Sequence, residues 1–166
     1  MKRFFLNLYS KIRRRLNKVK LPVSKEWEVY KNMSIYEFSK KINSFPYKAD
    51  LGAGLFDYTA SFEHFIDPKV KIGRDCDDFA RMWTLWGAYN GYVAHEIILT
   101  NPKHFFKDSH VITILEKDGK YILCNYKNYP ETDSFIKAID RMRDWGYYKN
   151  GYMYTQYIIF SKGDIK

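Results

Sequence analysis

The chain reads as an α+β protein. Helical periodicity fills its first half, β periodicity dominates the second, and an Asp-Gly hairpin signal joins two of the strands. Helices followed by an antiparallel meander do not make the alternating units of a parallel sheet. With 166 residues, 46% of them hydrophobic and 28% charged, the chain is long and apolar enough for one globular core.

Each element has its own signal. Over residues 3–19, Phe4/Phe5, Leu8, Ile12, Leu16 and Val19 recur at steps of three and four with basic residues between them, the pattern of an amphipathic basic helix. Leu21-Pro22 ends it, because proline disfavours helix in the residue before it. A second helix, broken or continuous, fits residues 24–43. Ser34 is a plausible N-cap there, and Ile35, Phe38 and Ile42 lie on one face. Phe45-Pro46-Tyr47 and Gly52-Ala53-Gly54 then punctuate an irregular stretch that contains Phe56-Asp57-Tyr58 and runs to Asp67-Pro68. Asp75, Asp77 and Asp78 open the clearest helix of the chain, favoured by the positive end of its dipole. Phe79, Met82, Trp83 and Trp86 give that helix an apolar face, and Gly87 to Gly91 ends it.

Beyond Gly91 the period changes to that of strands, at Val93–Thr100, Val111–Leu115 and Tyr121–Leu123. Asp118-Gly119 turns between the last two. A helix bearing Phe135, Ile136, Ile139 and Met142 follows, and a final strand is expected near Tyr154 to Phe160.

Charge is unevenly spread. The 28 Lys and Arg against 19 Asp and Glu give +9, yet residues 1–20 alone hold eight bases and no acid. Residues 21–166 carry 20 bases against 19 acids. The chain therefore divides into a basic helical arm, 1–20, and a nearly neutral domain, 21–166. Basicity then argues for an anionic partner only at the arm, an anionic membrane surface or nucleic acid, or else for a helix whose basic side is simply solvated.

No run reaches the length of a transmembrane segment, and the short apolar start leads into Arg13-Arg14-Arg15 without a cleavage site. Two cysteines, Cys76 and Cys124, make no disulfide framework and no paired zinc spacing. A reducing, cytoplasmic setting is expected, with peripheral membrane association through the arm as a variant. No cofactor and no metal are expected: His95, His104, His110 and Cys76 have no zinc-site spacing, and Asp75-x-Asp77 lacks the glycine and distal glutamate of a calcium loop.

The chemistry-bearing segment is Gly73-Arg74-Asp75-Cys76-Asp77-Asp78-Phe79-Ala80. A thiol in the first turn of a helix sits among unpaired backbone N–H groups, which favour thiolate and can hold an oxyanion. The three neighbouring acids oppose that, so a cationic partner is needed. The alternative is a buried structural cysteine. A base is available in His110, which opens the strand Val111–Leu115 after Ser109. A two- or four-residue turn at Asp118-Gly119 pairs 116 with 121, 114 with 123 and 112 with 125. Asn125 then shares a face with His110, and Cys124 points to the other; a three-residue loop would reverse the two.

These residues resemble a family. Gly-x-x-Cys-x-x-Phe-Ala, a glycine about fifteen residues after the cysteine, and a hairpin begun by histidine are similar to the transglutaminase-like superfamily of cysteine enzymes. The closer likeness is to its bacterial and phage transglutaminase-like cysteine proteinase branch, where a segment similar to Pro46-Tyr47-Lys48-Ala49-Asp50 and Asp57-Tyr58 precedes the cysteine motif. The likeness spans residues 44–126. It implies a papain-like core with the cysteine helix packed on an antiparallel sheet, and a catalytic triad of Cys76 as nucleophile, His110 as general base and Asn125 as third member. An aromatic such as Tyr58 would add an oxyanion or substrate contact, or else pack in the core. Two departures stand out: Arg74 interrupts the family's Gly-Asp-Cys, and Asn125 replaces its usual aspartate.

The implied activity is that of a thiol protease or related hydrolase, acting on a protein or peptide substrate by acyl transfer at an amide bond. Peptide or isopeptide hydrolysis, deamidation and transglutamination all fit. The rival expectation is a catalytically silent protein of the same fold that uses its basic arm to touch membrane or nucleic acid.

Overall fold

The computed structural model describes residues 22–48, 59–71, 74–100, 109–150 and 156–159. The basic arm, 1–20, lies outside the described residues.

The first helical region divides in two. Helix α1, Lys25–Lys31, is capped by Ser24, whose Oγ accepts from Trp27 N at 3.3 Å. Helix α2, Ile35–Ile42, begins with a reciprocal cap: Ser34 Oγ accepts from Glu37 N, and Glu37 Oε2 accepts from Ser34 N at 2.9 Å. A fresh cap at Ser34 forces the chain to start again, which is why one helix over 24–43 does not form. A third helix, α3, Phe62–Ile66, stands where an irregular stretch is expected. A five-residue helix has too few turns to show periodicity, yet it is capped by Ser61 and buries Phe62 and Phe65.

Helix α4, Cys76–Tyr89, is followed by the strands β1 (Val93–Thr100), β2 (His110–Lys117), β3 (Lys120–Cys124) and β4 (Glu131–Thr132). Helix α5 covers Phe135–Asn150, and β5 covers Gln156–Ile159. All neighbouring strands are antiparallel, in the order β4-β3-β2-β1-β5. The final strand thus returns to pair with β1, leaving β1 and β2 central. The β2–β3 hairpin turns on Asp118 (φ 51°) and Gly119 (φ 73°), the two left-handed residues of a two-residue primed turn. Its register pairs Glu116 with Tyr121 and Ile114 with Leu123, as parity requires.

Both faces of this sheet are covered. Ala94, Glu96 and Ile98 of β1, with Val111, Thr113 and Leu115 of β2, face α4. Ile97, Leu99, Ile112, Ile114 and Leu123 face α5, against Ala138, Ile139 and Met142. The architecture is α+β, with an aromatic core between α4 and the short helices. Phe38 stacks on Trp86 there, and Trp27 meets Phe62 edge-on at 5.0 Å. Among the described residues no helix is long and apolar enough to cross a membrane.

Candidate active site

Cys76 is the first residue of α4, half-buried, with Asp75 as the N-cap residue. The acids around it do more than complement a dipole. Asp78 is fully buried; its Oδ2 accepts from Asp75 N at 3.0 Å and its Oδ1 from Ala60 N at 2.5 Å. Asp77 Oδ2 accepts from Thr59 Oγ1 at 2.6 Å. Together they lash residues 59–60 to the start of the cysteine helix.

Arg74, the residue that interrupts the motif, is a second anchor. Its backbone pairs with Lys48 by two 3.0 Å hydrogen bonds. Its buried guanidinium donates to Phe65 O at 2.6 Å and to Asp67 O, and lies over the Phe45 ring. Phe65 O, at the end of α3, gains a partner in this way, and Asp67 O, which also accepts from Val70 N at 3.2 Å, gains a second. Burial pushes the Arg74 pKa below its ordinary value, partly offset by Asp67 and Asp78.

His110 and Asn125 meet directly. The ring Nε2 lies 2.9 Å from Asn125 Oδ1, both residues buried. Asn125 Nδ2 turns to Met142 Sδ at 3.6 Å, so the amide oxygen faces the ring and Nε2 carries the proton. Nδ1 then keeps its lone pair, the form a base requires. Burial pushes the imidazole from its ordinary 6.5 down to about 4, against a smaller upward pull from the Asn125 bond. The ring is neutral at neutral pH. Asn125 is held by a tight turn, exchanging backbone hydrogen bonds with Asn128 at 2.8 and 2.9 Å. Tyr126 inside that turn adopts φ 50°, its carbonyl taken by Trp83 Nε1 at 3.0 Å. Its ring lies 5.6 Å from that of His110, and Trp145 of α5 stacks on His110 at 5.2 Å.

Cys76 and the histidine stand at the same end of the sheet. Cys76 packs against the cluster formed by Ala80, Ile98 and Val111, and Val111 is the residue after His110. Strand alternation, however, sends neighbours to opposite faces. Val111 faces α4, while His110 keeps company with Trp145 and, through Asn125, Met142 of α5.

The remaining candidates fall elsewhere. Cys124 is buried on the α4 face, its thiol pushed well above the ordinary range by burial. His95 lies in β1, bonded to Glu116 Oε2 at 3.0 Å and edge-on to Phe135. Tyr58 and His104 lie outside the described residues. Asp75, Cys76 and Asp77 bring one ligand atom each within 4.8 Å of one another, as three acidic or thiol groups of one helix start must.

Tyr126 and Trp145 were not singled out from the sequence. Asn125-x-x-Asn128, a turn pattern at the end of a strand, is a signal for the first; the second depends on the packing of α5 and has no local signal. No protein-family model matches the chain, and comparison with curated proteins and with solved structures returns no significant match.

Proposed function

We propose that the protein is a cysteine-dependent acyl-transfer enzyme acting on an amide bond, built on a papain-like core, with Cys76, His110 and Asn125 as its catalytic residues. The observation that carries this reading is the buried 2.9 Å bond from His110 Nε2 to Asn125 Oδ1, at the end of the sheet where Cys76 begins α4. That bond leaves Nδ1 as the proton acceptor. Nδ1 takes the thiol proton as sulfur attacks the amide carbonyl, and the imidazolium so formed returns it to the leaving amine. Backbone N–H groups in the first turn of α4 hold the oxyanion of the tetrahedral intermediate. Water or an amine then attacks the thioester, which separates hydrolysis or deamidation from transglutamination. A ring held neutral suits general-base catalysis better than a resting thiolate–imidazolium pair. A carbonyl acceptor such as Asn125 orients the ring without adding negative charge.

A second reading has its own observation: His110 lies on the α5 side of β2, away from the face that carries Val111 and Cys76. In that reading the His110–Asn125 pair is structural and the fold is silent. One measurement separates the two. Alkylation of Cys76 by iodoacetamide is followed by peptide mass spectrometry from pH 5 to 9, with buried Cys124 reporting that the fold is intact. The enzyme reading expects Cys76 at pH 7 to outpace a free cysteine peptide, and H110A to slow it by about tenfold or more. A Cys76 that reacts like an ordinary thiol, with H110A and N125A both without effect, overturns it.

A further inference from the structure

Three threonines lie on the sheet and helix surfaces packed between α4 and the central strands, and two of them are hydrogen-bonded. Thr113 Oγ1 donates to Ala80 O at 2.7 Å and sits 3.2 Å from Thr84 Oγ1. The third is Thr100, the last residue of β1. It is completely buried, and among the described residues its Oγ1 has no hydrogen-bond partner. A buried hydroxyl without a partner is destabilising, because it has lost its water and gained nothing in exchange. Valine has nearly the same shape and no such cost, so packing alone does not ask for threonine here.

The position of Thr100 follows from alternation and register. Ala94, Glu96 and Ile98 all meet α4, so Thr100 points to the same face. Helix α4 runs antiparallel to β1: its late residue Gly87 crowds Leu115, the partner of Ala94, while Ala80 and Thr84 flank Thr113, the partner of Glu96. From the middle of that Ala80–Thr84 span back to Cys76 is six residues, about 9 Å of helix. Nine ångströms is about three strand residues, which carries the level from Glu96 to between Ile98 and Thr100. Packing of Cys76 against the cluster that contains Ile98 agrees. The unsatisfied hydroxyl thus lies level with the thiol along β1, on the sheet face that α4 covers.

We infer that Thr100 is a further substrate-binding group of this site, its hydroxyl donating a hydrogen bond to the carbonyl oxygen of an acyl group held at Cys76. The inference rests on Cys76 as the reacting thiol and names a residue that triad reasoning does not reach. The ligand class is a carbonyl compound, amide or thioester, because only an acceptor next to the carbon that sulfur attacks places an oxygen at the strand end. Substrate then replaces the partner that the hydroxyl lacks, so the cost of burying it is recovered on binding.

Two reagents with and without a carbonyl test this. Iodoacetamide transfers a carbamoylmethyl group whose oxygen mimics an acyl oxygen, whereas 4,4′-dithiodipyridine contains no oxygen. The ratio of their rates at Cys76 cancels any change in thiol nucleophilicity. T100V should lower the ratio about three- to tenfold, the worth of one hydrogen bond, and T100S should restore it. Thermal unfolding of T100V should be no lower than wild type, since an orphan hydroxyl is removed without a cavity. An unchanged ratio in T100V, an equal loss with both reagents, or a T100S that behaves like T100V overturns the inference. H110A serves as the control for the underlying reading: it should slow both reagents alike and leave the ratio untouched. Failure of the acyl-transfer reading thus shows in absolute rates, and failure of the Thr100 assignment in the ratio.

Discussion

The two faces of the central sheet are held by different physics. On the α4 side, polar groups cross the interface: Arg81 Nε meets Glu96 Oε1 at 2.6 Å and its NH2 meets Oε2 at 3.2 Å, while Thr113 ties to Ala80 and Thr84. On the α5 side, contact is almost wholly apolar and aromatic, through Ala138, Ile139, Met142 and Trp145. Hydrogen bonds are directional and fix a register; apolar contacts are not and fix only proximity. The thiol therefore rides on the side whose register is specified bond by bond. The histidine rides on the side where burial tunes its proton affinity. On the proposed acyl-transfer reading, nucleophile and base are thus held by different faces of the sheet.

The largest test of this contrast is the buried pair Arg81–Glu96. Removing one partner leaves an uncompensated charge under α4, so R81A should cost about 3–5 kcal/mol in urea unfolding. Replacing both, as in R81M/E96L, should recover most of that loss, because paired buried charges contribute little net stability over apolar substitutes. If R81A and the double variant unfold alike, the pair is not what the α4 interface depends on. Restored stability with altered Cys76 alkylation in the double variant would sharpen the contrast, by showing that the bonds set position rather than stability.

A second test addresses the α5 side and is nearly as large. His110 is protonated at about 6.5 when exposed and only near 4 in the fold. The unfolded chain therefore binds more protons between those values, and stability falls as pH drops through that window. Full above about pH 6.5, the contribution is gone by about pH 4, a loss on the order of 3 kcal/mol. H110Q should flatten the corresponding slope in urea midpoints measured from pH 7 to 4. A slope that survives in H110Q assigns the acid sensitivity to other groups and removes burial as the tuning agent.

How much of this arrangement the sequence discloses differs between the faces in the same way. The hairpin is legible from Asp118-Gly119, though not its loop length; left-handed backbone at both positions makes it a two-residue turn. With that turn, Asn125 and His110 share a face, and the structure bonds them. The start of α4 is legible too, since acids gather at an N-terminus for a local reason. What escapes is tertiary. Alternation shows that Val111 and His110 part company but not which helix covers which face. That assignment depends on α5 folding back over Ile112 and Ile114 and on β5 closing against β1. Arg74 reads as an interruption of a motif until Phe65 and Asp67 are seen to offer it carbonyls across a turn. Helix α3 escapes because a single turn has no period to read.

The smallest effect isolates packing on the α4 face from its polar bonds. Gly87 lies where α4 presses against Leu115 of the sheet. A β-carbon built there collides with Leu115 Cδ2 and lies 3.1 Å from Cδ1 and 3.2 Å from Cγ. Leu115 is fully buried, so its side chain has little room to yield. Two opposing terms decide G87A. Alanine in a helix interior gains about 1 kcal/mol over glycine, and overpacking a filled core costs about 1–3 kcal/mol. With the overlap at Leu115, the cost should win, for a net loss of about 1–2 kcal/mol in urea unfolding. Shortening the neighbour returns the space, so G87A/L115A should be more stable than the sum of its single variants predicts, a positive coupling in the double-mutant cycle. Additive losses would mean that α4 moves away from the sheet instead. In that case Cys76 alkylation should change along with stability, and the register would prove softer than its hydrogen bonds imply.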